Sequence, residues 1–240
     1  MDLTEQALVY LNRDPILYVN LLEVLRRGSA ELLWVTADGV LLYDRDSRSH
    51  MFSARTQEAA GRIFHLLPPD ADLLYGYETW YLEELRGRVP LTREYLFYSC
   101  VWAKKEPPPP ARCAGELRLL REDDANAVIS RYENAWGDGA EMLEYVRASI
   151  RRGMYGAYVD GELAGFGGSH DEGSLGMLEV LPQYRRRGLA AALETALIRR
   201  TLDRGGYAFC QVSTDNRASL ALQEELGLTR SAAPLFMLAP

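Results

Sequence analysis

The sequence predicts a mixed α/β (α+β) fold, and three features of its second half support that prediction. The dipeptide Asp160-Gly161 separates two strand-forming runs, and Asp-Gly in that setting favours a tight hairpin because both turn positions need positive φ. Apolar residues recur at the spacing of a helix face from Leu189 to Leu197. Strand-like and helix-like segments alternate towards the C-terminus, so we expect a sheet with helices packed against it.

Local signals define the elements of this half in order. A strand over 116–120 is followed by an acidic N-cap region at Asp123 and Asp124 and then by a helix. A second helix over 141–152 stops at Gly153, which is expected to cap its C-terminus. The remaining predicted elements are the hairpin strands around Asp160-Gly161, a strand in SLGMLEV, a helix from Leu189 to Gly205-Gly206, a strand in YAFCQV, a helix in TDNRASLALQEELGL that ends at Gly227, and one or two closing strands over 229–238.

Four consecutive prolines at positions 107–110 mark the predicted domain boundary. Proline fits neither a helix interior nor a central strand, and a proline run favours a stiff extended spacer. We therefore predict an N-terminal domain over 1–106, a linker over 107–111 and a second domain over 112–240. The alternative is a rigid loop within one continuous sheet.

The first half of the chain resembles an eroded copy of part of the second. Residues 26–43 and 151–166 both contain Arg-Arg-Gly at a helix end, then a strand, an Asp-Gly turn and another strand. This unit is common, so chance similarity is the alternative explanation. The first half has no counterpart of residues 185–190.

Composition excludes several classes of protein. The 240-residue chain is 48% hydrophobic and 25% charged with a net charge of −7, which argues against a nucleic-acid binder. No run approaches the roughly 18 apolar residues of a membrane helix, and the N-terminus lacks the layout of a signal peptide. The cysteines and histidines are few and widely spaced: Cys100, Cys113, Cys210, His50, His65 and His170. We therefore expect reduced thiols in the cytoplasm, no metal site, and either a monomer or a homodimer.

The segment LPQYRRRGLAAAL, residues 181–193, is the strongest functional signal. It joins a strand to a helix, and the first amides of a helix have no intrahelical partner and attract anions. Gly188 lets a diphosphate approach the backbone, and Ala190 is small enough for the same purpose. Arg185, Arg186 and Arg187 add positive charge around the rim. The segment is neither a Walker loop nor a dinucleotide-binding fingerprint, and it favours a phosphate-bearing small molecule.

These residues resemble the acyl-CoA-binding signature of the GNAT superfamily of N-acyltransferases, Arg/Gln-x-x-Gly-x-Gly/Ala. The matching positions are Arg185, Gly188 and Ala190, with Val180 and Pro182 ahead of them and Asn216, Ser219, Gly227 and Leu228 in a second family segment. The order of predicted elements agrees from about residue 116 onwards. The resemblance implies a mixed, mostly antiparallel central sheet flanked by helices. The chain looks most like the glycine N-acyltransferase-like branch, whose members carry a non-catalytic GNAT-like half ahead of the active one.

The resemblance also implies a reaction and its binding residues. An amine of a small molecule, such as an amino acid, attacks the thioester of acetyl-CoA or another acyl-CoA directly. The strand at 178–180 is expected to pair with the pantetheine arm, the loop amides to hold the diphosphate, and Asn216 to bond the pantetheine near the thioester. The implied co-substrate-binding residues are Leu178, Glu179, Val180, Arg185, Arg186, Arg187, Gly188, Leu189, Ala190 and Asn216.

The chain departs from the family pattern at its catalytic positions. Gln223 stands where the family has an acidic tyrosine, Gln211 where some members have a carboxylate, and Ser174 where the related branch has its base. A thiolate leaves readily without an acid, so the missing base is the more serious loss.

Glu172 and Glu179 are the candidate replacements for that base. Glu172 lies two residues before Ser174, whereas strand alternation puts Glu179 on the opposite face from Ser174. Each could instead be a solvated carboxylate, and His170 could be a base or an exposed loop histidine. A water relay is also possible. The sequence therefore leaves two hypotheses, a transferase and a non-catalytic acyl-CoA-binding or regulatory module.

Overall fold

The computed structural model describes residues 2–132 and 137–240. Residues 133–136, in the segment expected to become helical after Asp124, lie outside the described residues. The chain divides into two compact units: the first contains Met1–Val101 and Gln211–Pro240, and the second contains Trp102–Cys210. This division differs from the predicted boundaries, because the last thirty residues group with the first unit. A separate domain over 112–240 therefore stays a prediction.

Helices and strands alternate along the chain, as expected. The helices are α1 Leu3–Leu11, α2 Val19–Arg27, α3 Gln57–Leu66, α4 Leu82–Arg86, α5 Ala125–Ile129, α6 Gly139–Gly153, α7 Leu189–Asp203 and α8 Arg217–Leu226. The strands are β1 Ala30–Thr36, β2 Gly39–Asp44, β3 Ser49–Ala54, β4 Leu74–Gly76, β5 Arg93–Val101, β6 Glu116–Leu119, β7 Tyr155–Val159, β8 Glu162–Ser169, β9 Leu175–Val180, β10 Phe209–Ser213, β11 Thr229–Arg230 and β12 Leu235–Ala239. Single 3₁₀ turns occupy Thr79–Tyr81, Glu122–Asp124 and Pro182–Tyr184.

The first unit orders its strands β1-β2-β3-β4-β12-β5, and β11 also pairs with β5. The pairs are antiparallel except β3 with β4, which α3 connects in parallel. Strand alternation buries both faces: Leu42 packs with residues of α1 and α2, whereas Phe52 packs with Ile63 of α3 and Leu85 of α4. Strand β12 lies between β4 and β5, so the C-terminus completes this sheet.

The second unit orders its strands β6-β7-β8-β9, all antiparallel, and β9 pairs in parallel with β10. Helices α5 and α6 cover one face, where Val146 and Met142 pack with Phe166. Helix α7 covers the other face, where Leu193 packs with Ala157. The prediction of a mixed, mostly antiparallel sheet flanked by helices is confirmed.

The predicted turns are also present. Asp160 and Gly161 form the hairpin between β7 and β8 with φ of 52° and 84°. Helix α6 begins earlier than predicted because Asp138 caps it, accepting hydrogen bonds from the amides of Ala140 and Glu141. No helix within residues 2–132 or 137–240 is long and apolar enough to cross a bilayer.

The segment that contains the prolines lies against the second unit. Residues 102–115 form no helix or strand. Arg199 of α7 donates a hydrogen bond to the Pro108 carbonyl at 2.6 Å, and the Trp102 amide donates to the Ala208 carbonyl at 2.9 Å. The proline run is thus held to this unit by two kinds of hydrogen bond. A side chain bonds to Pro108 within the run, and a backbone amide bonds the chain at Trp102 ahead of it.

The two units share one local topology. In the first, three antiparallel strands β1-β2-β3 lead through α3 to the parallel strand β4. In the second, β7-β8-β9 lead through α7 to β10 in the same way. This shared order is what the predicted internal copy requires.

Candidate functional site

The strand-to-helix junction after β9 forms an exposed turn with an uncapped helix start. The chain passes from the 3₁₀ turn into an extended Arg185 and then takes positive φ at Arg186 and at Gly188. Helix α7 has no side-chain cap, and its first intrahelical bond runs from the Ala192 amide to the Gly188 carbonyl at 3.0 Å. The amides of residues 189–191 therefore have no carbonyl partner inside the helix, which suits an anion.

Gly188 is required by the fold as well as by any ligand. Its φ is +75°, and a Cβ added there would lie 2.7 Å from the carbonyl oxygen of Arg112. The neighbouring Ala114 amide donates to the Arg187 carbonyl at 3.1 Å, so residues 112–114 pack directly against the turn. Two physical constraints, the left-handed backbone and the close carbonyl, thus coincide at this residue.

The three arginines are exposed but not equivalent. The Arg185 Nε donates to the Val180 carbonyl at 3.0 Å, and its guanidinium lies 3.6 Å from the Glu179 carboxylate. The Arg185 amide is also used, because it donates to the Pro182 carbonyl. Arg187 lies over the ring of Tyr184 at 5.5 Å. Arg185 therefore braces the end of β9, and the free amides lie further along the turn.

Strand β9 presents an open edge next to this turn. On one side, β9 pairs with β8 along most of its length. On the other side, β9 pairs with β10 at one position, Leu175 with Cys210. Within the described residues, positions 176–180 have no further ladder partner on that edge. An extended ligand could therefore pair with the backbone at 178–180.

A β-bulge in β9 changes which side chains share a face. Gly168 pairs with Gly176 and Phe166 pairs with Glu179, so two steps on β8 correspond to three on β9. Met177 adopts φ +49° at this bulge. Because paired residues point the same way, Glu179 shares a face with Gly176, and by alternation with Ser174 two residues earlier. The prediction that Glu179 faces away from Ser174 is therefore wrong.

That shared face is the one covered by α6, and we call it the α6 face. A Cβ added to Gly168 would meet Met154, at the end of α6, at 2.8 Å. The opposite face is filled by α7: Leu178, Leu193 and Leu197 lie within 3.7 Å of the position that a Cβ on Gly167 would take. At the middle of β9, α7 thus fills the face opposite to the α6 face.

The two predicted catalytic carboxylates both lie on the buried side of the β9 region. Glu172, in the turn between β8 and β9, is 5% exposed and accepts a hydrogen bond from the Ser174 hydroxyl. Ser174 itself is 1% exposed. Glu179 is 8% exposed and faces Arg185. The structure thus joins Ser174, at the expected position of the base, to Glu172, its proposed substitute. It also places Glu179 next to the positive charge of Arg185.

A tyrosine–histidine pair on the α6 face was not singled out by the sequence. The Tyr145 hydroxyl of α6 forms a hydrogen bond with Nδ1 of His170. The His170 ring lies against Gly176, where it leaves no room for a Cβ. Burial raises the pKa of Tyr145 well above its usual value, and the negative charge of Glu172 raises it further. Only the packing of α6 on the turn reveals this pair, because Tyr145 and His170 are far apart in sequence.

Further contacts hold the same turn to α6. Arg152 forms an ion pair with Asp171 at 2.9 Å and donates to the Ser169 carbonyl at 2.9 Å. The Ser149 hydroxyl also donates to the Ser169 carbonyl at 2.9 Å. The turn carrying His170 and Glu172 is therefore fixed by three side chains of one helix.

Two predicted positions belong to the other unit and are described there. Asn216 is the N-cap of α8, and its Oδ1 accepts a hydrogen bond from the Ser219 amide at 3.0 Å. Because the oxygen is used for capping, the side-chain NH₂ is the group it can offer to a ligand. Gln223, in place of the family tyrosine, is 3% exposed.

The corresponding junction of the first unit is closed by its own side chains. Thr56 caps α3, accepting a hydrogen bond from the Ala59 amide at 3.2 Å. The Glu78 carboxylate accepts four hydrogen bonds at the ends of β3 and β4. The donors are the Ala54 amide at 3.1 Å and the hydroxyls of Tyr18 at 2.7 Å, Ser53 at 2.6 Å and Tyr81 at 2.8 Å. In the first unit, side chains of the unit itself therefore accept hydrogen bonds from amides at the helix start and the strand end. In the second unit, the start of α7 has no such side-chain acceptor.

Among residues 2–132 and 137–240, no three His, Cys, Asp or Glu side chains are grouped so that they could hold a metal ion.

Comparison with known proteins agrees with this geometry. Residues 119–228 match the family model described as the acetyltransferase (GNAT) family. An acetyltransferase of Pectobacterium atrosepticum is 32% identical over an alignment of 120 residues that covers 46% of this chain and 85% of that protein.

Solved structures resemble the chain over nearly its whole length. A Drosophila protein is 20% identical with a TM-score of 0.73, covering 99% of this chain and 95% of its own. A GNAT-family protein of Novosphingobium aromaticivorans is 20% identical with a TM-score of 0.57, covering 94% and 96%. These two likenesses concern the fold, whereas the family model matches the sequence that carries the turn and the helix start. The chain belongs to the GNAT family of acetyltransferases.

Proposed function

We propose that this chain is an N-acyltransferase that moves an acetyl group from acetyl-CoA to the amine of a small molecule such as an amino acid. One observation carries the proposal: the uncapped start of α7 lies at the end of a bulged strand whose edge is open. A ligand with a diphosphate at one end and an extended amide arm at the other fits both features. Acyl-CoA has that construction.

The binding residues follow from the free backbone groups. The amides of residues 186–191 would hold the diphosphate, with Arg186 and Arg187 supplying charge at the exposed rim. The edge at 178–180 would pair with the pantetheine arm. Asn216 stays a predicted pantetheine-binding residue, as the family resemblance implies. Arg185 would contribute by bracing the strand end, since its side chain and its amide already have partners.

The amine would meet the thioester from the α6 face, because α7 fills the other one. An ammonium ion has no lone pair, so this face must supply a proton acceptor. Glu172, acting through Ser174, and Glu179 are the carboxylates there, and both would also favour a cationic acceptor.

A second candidate function is a non-catalytic acyl-CoA-binding or regulatory module. The observations that favour it are the buried Gln223 at the tyrosine position and the buried Ser174 at the base position. The distinction between the two candidates is turnover, since both require the same ligand.

The chain organisation that accompanies this function is also proposed. Residues 1–106 would be a degenerate GNAT-like half, 107–111 a linker and 112–240 the catalytic part, as in the glycine N-acyltransferase-like branch. The shared β-β-β-α-β topology supports this assignment. It is also supported by the side chains of Thr56 and Glu78, which fill the corresponding junction of the first unit and which we call the plug. Within the described residues, Cys100, Cys113 and Cys210 form no disulfide, and we place the protein in the cytoplasm.

The binding proposal is tested by placing a charge at the helix start. Ala190→Glu should weaken CoA binding by at least about tenfold in calorimetry, or about 1.4 kcal/mol, because the carboxylate repels the diphosphate. The same charge should leave the thermal stability unchanged or raise it, since an acid in the first helical turn is favourable. Ala190→Gln adds similar bulk to Ala190→Glu without the charge, so it should weaken CoA binding clearly less than Ala190→Glu does.

Equal CoA affinity in the two Ala190 variants would refute the proposed binding of the diphosphate at the start of α7. A thiol-release assay with acetyl-CoA and a panel of amino acids and polyamines then separates the two functions. Turnover supports the transferase, whereas tight CoA binding without turnover on any amine supports the binding module.

A further inference from the structure

The residue nearest to the proposed reaction centre on the α6 face is a histidine. If the diphosphate lies at the start of α7 and the arm pairs with 178–180, the ligand runs back along β9 towards Met177. The thioester then lies beside Met177 and Gly176. The His170 ring packs on Gly176 from the α6 face, and both residues are only partly buried.

The two carboxylates of this region are less suited to direct contact with the amine. Glu172 is engaged by the Ser174 hydroxyl, and both are almost fully buried. Glu179 is opposed by the positive charge of Arg185. His170 is only half-buried, and one of its ring nitrogens is already fixed by a hydrogen bond to α6.

We infer that His170 is the general base of the acetyl transfer and that Tyr145 is the residue that positions it; the inference rests on the proposed function. In the tautomer that carries its proton on Nδ1, His170 donates a hydrogen bond to the Tyr145 hydroxyl, and the unprotonated Nε2 faces Gly176. The hydroxyl remains protonated through the reaction because burial and Glu172 raise the pKa of Tyr145. Tyr145 thus orients the ring without exchanging its own proton.

The reaction balances with this one base. Nε2 of His170 takes one proton from the substrate ammonium, and the neutral amine attacks the thioester carbon. The C–N bond forms, the C–S bond breaks, and the thiolate leaves with the electron pair of that bond. The thiolate takes the second nitrogen proton, and His170 returns the first one to water. This path needs no acid at position 223.

Several charged or titratable groups surround the histidine. Tyr145 and Arg152 approach the turn from α6, and Asp171 and Glu172 belong to the turn itself. A general base acts only in its unprotonated form, so kcat/KM should have an acidic limb.

The test compares His170→Gln with His65→Gln, a matched change at an exposed histidine of α3. For His170→Gln we expect kcat to fall by about 10² to 10⁴-fold, the usual contribution of a general base, and the acidic limb to disappear. Its CoA affinity by calorimetry and its circular dichroism should not change. Added imidazole should restore part of the activity of His170→Ala, and His65→Gln should behave like the unmodified protein.

Tyr145→Phe separates positioning from simple structural support. Loss of the hydroxyl frees the ring from its fixed orientation, so kcat should fall while KM and CoA affinity stay unchanged. A purely structural role would lower stability without lowering kcat at a temperature where the variant is folded.

The outcomes distinguish the two levels of proposal. If the unmodified protein acetylates an amine and His170→Gln retains its kcat and pH profile, the assignment of the base is overturned. Loss of CoA binding in His170→Gln would likewise overturn it in favour of a structural role. If the unmodified protein binds CoA but acetylates no amine, the proposed function fails instead.

Discussion

The turn glycine offers the sharpest test of how the fold builds this site. The sequence suggests that Gly188 is needed only to admit a ligand, which would let a side chain block binding without loss of stability. The structure gives a different expectation, because a Cβ at Gly188 lies 2.7 Å from the Arg112 carbonyl in a left-handed backbone conformation. Gly188→Ala should therefore destabilise the protein even without CoA.

The magnitude can be worked out with a matched control, Gly205→Ala. Gly205 has φ +70°, close to the +75° of Gly188, but a Cβ there meets nothing within 4 Å. Gly205→Ala should cost about 1 kcal/mol, the strain of a left-handed alanine. Gly188→Ala should cost about 1–3 kcal/mol more, the usual penalty for overpacking. On a total stability of about 5–15 kcal/mol this difference is readily measured.

The assay is urea unfolding followed by circular dichroism, with CoA calorimetry on the same variants. Gly188→Ala should also bind CoA less tightly, because the turn has to shift to relieve the contact. Equal losses of stability in the two variants would refute the reasoning, since the Arg112 carbonyl would then yield freely. Unchanged CoA affinity in Gly188→Ala would separate the geometry of the turn from the anion site.

The other predictions concern the plug of the first unit. Glu78→Ala should cost about 2–4 kcal/mol in urea unfolding, because it leaves four buried donors without their acceptor. Glu83→Ala, on a side chain 83% exposed, should change stability by less than about 0.5 kcal/mol, and similar losses in the two variants would contradict the role of the plug. Burial raises the pKa of Tyr10 from 10.0 to about 12, and it also raises that of Tyr18. The folded state then holds a proton that the unfolded chain has lost, so stability should fall as pH rises from 10 to 12. Tyr10→Phe should flatten this alkaline decline, whereas Tyr95→Phe, at an exposed position, should leave it unchanged.

Local chemistry explains why the helices, the hairpin and the turn could be predicted. Asp160-Gly161 fits a turn whose two residues need positive φ, and the structure has both in that region. The helix behind Gly188 begins where the apolar spacing begins, at Leu189. These features depend on a few adjacent residues, so their signals are contained in short stretches of sequence.

The organisation into units could not be predicted in the same way. The prolines at 107–110 indicate a break, yet the segment around them is held to the second unit by Arg199. Strand β12 pairs with β4 and β5, more than 130 residues earlier in the chain. Such pairings depend on which edges meet in space, and no local pattern of residues encodes them.

The α6 face shows most clearly which features follow from the local sequence and which from tertiary packing. The sequence by itself determines the strand, the turn and the helix start, because backbone conformation and free amides follow from neighbouring residues such as Gly188. The tertiary structure alone decides which side chains surround the reacting bond. The bulge at Met177 turns Glu179 to the α6 face, against simple alternation, and the packing of α6 brings Tyr145 to His170. Register and helix packing are set by contacts across the whole unit, so the surroundings of the proposed base are a property of the fold.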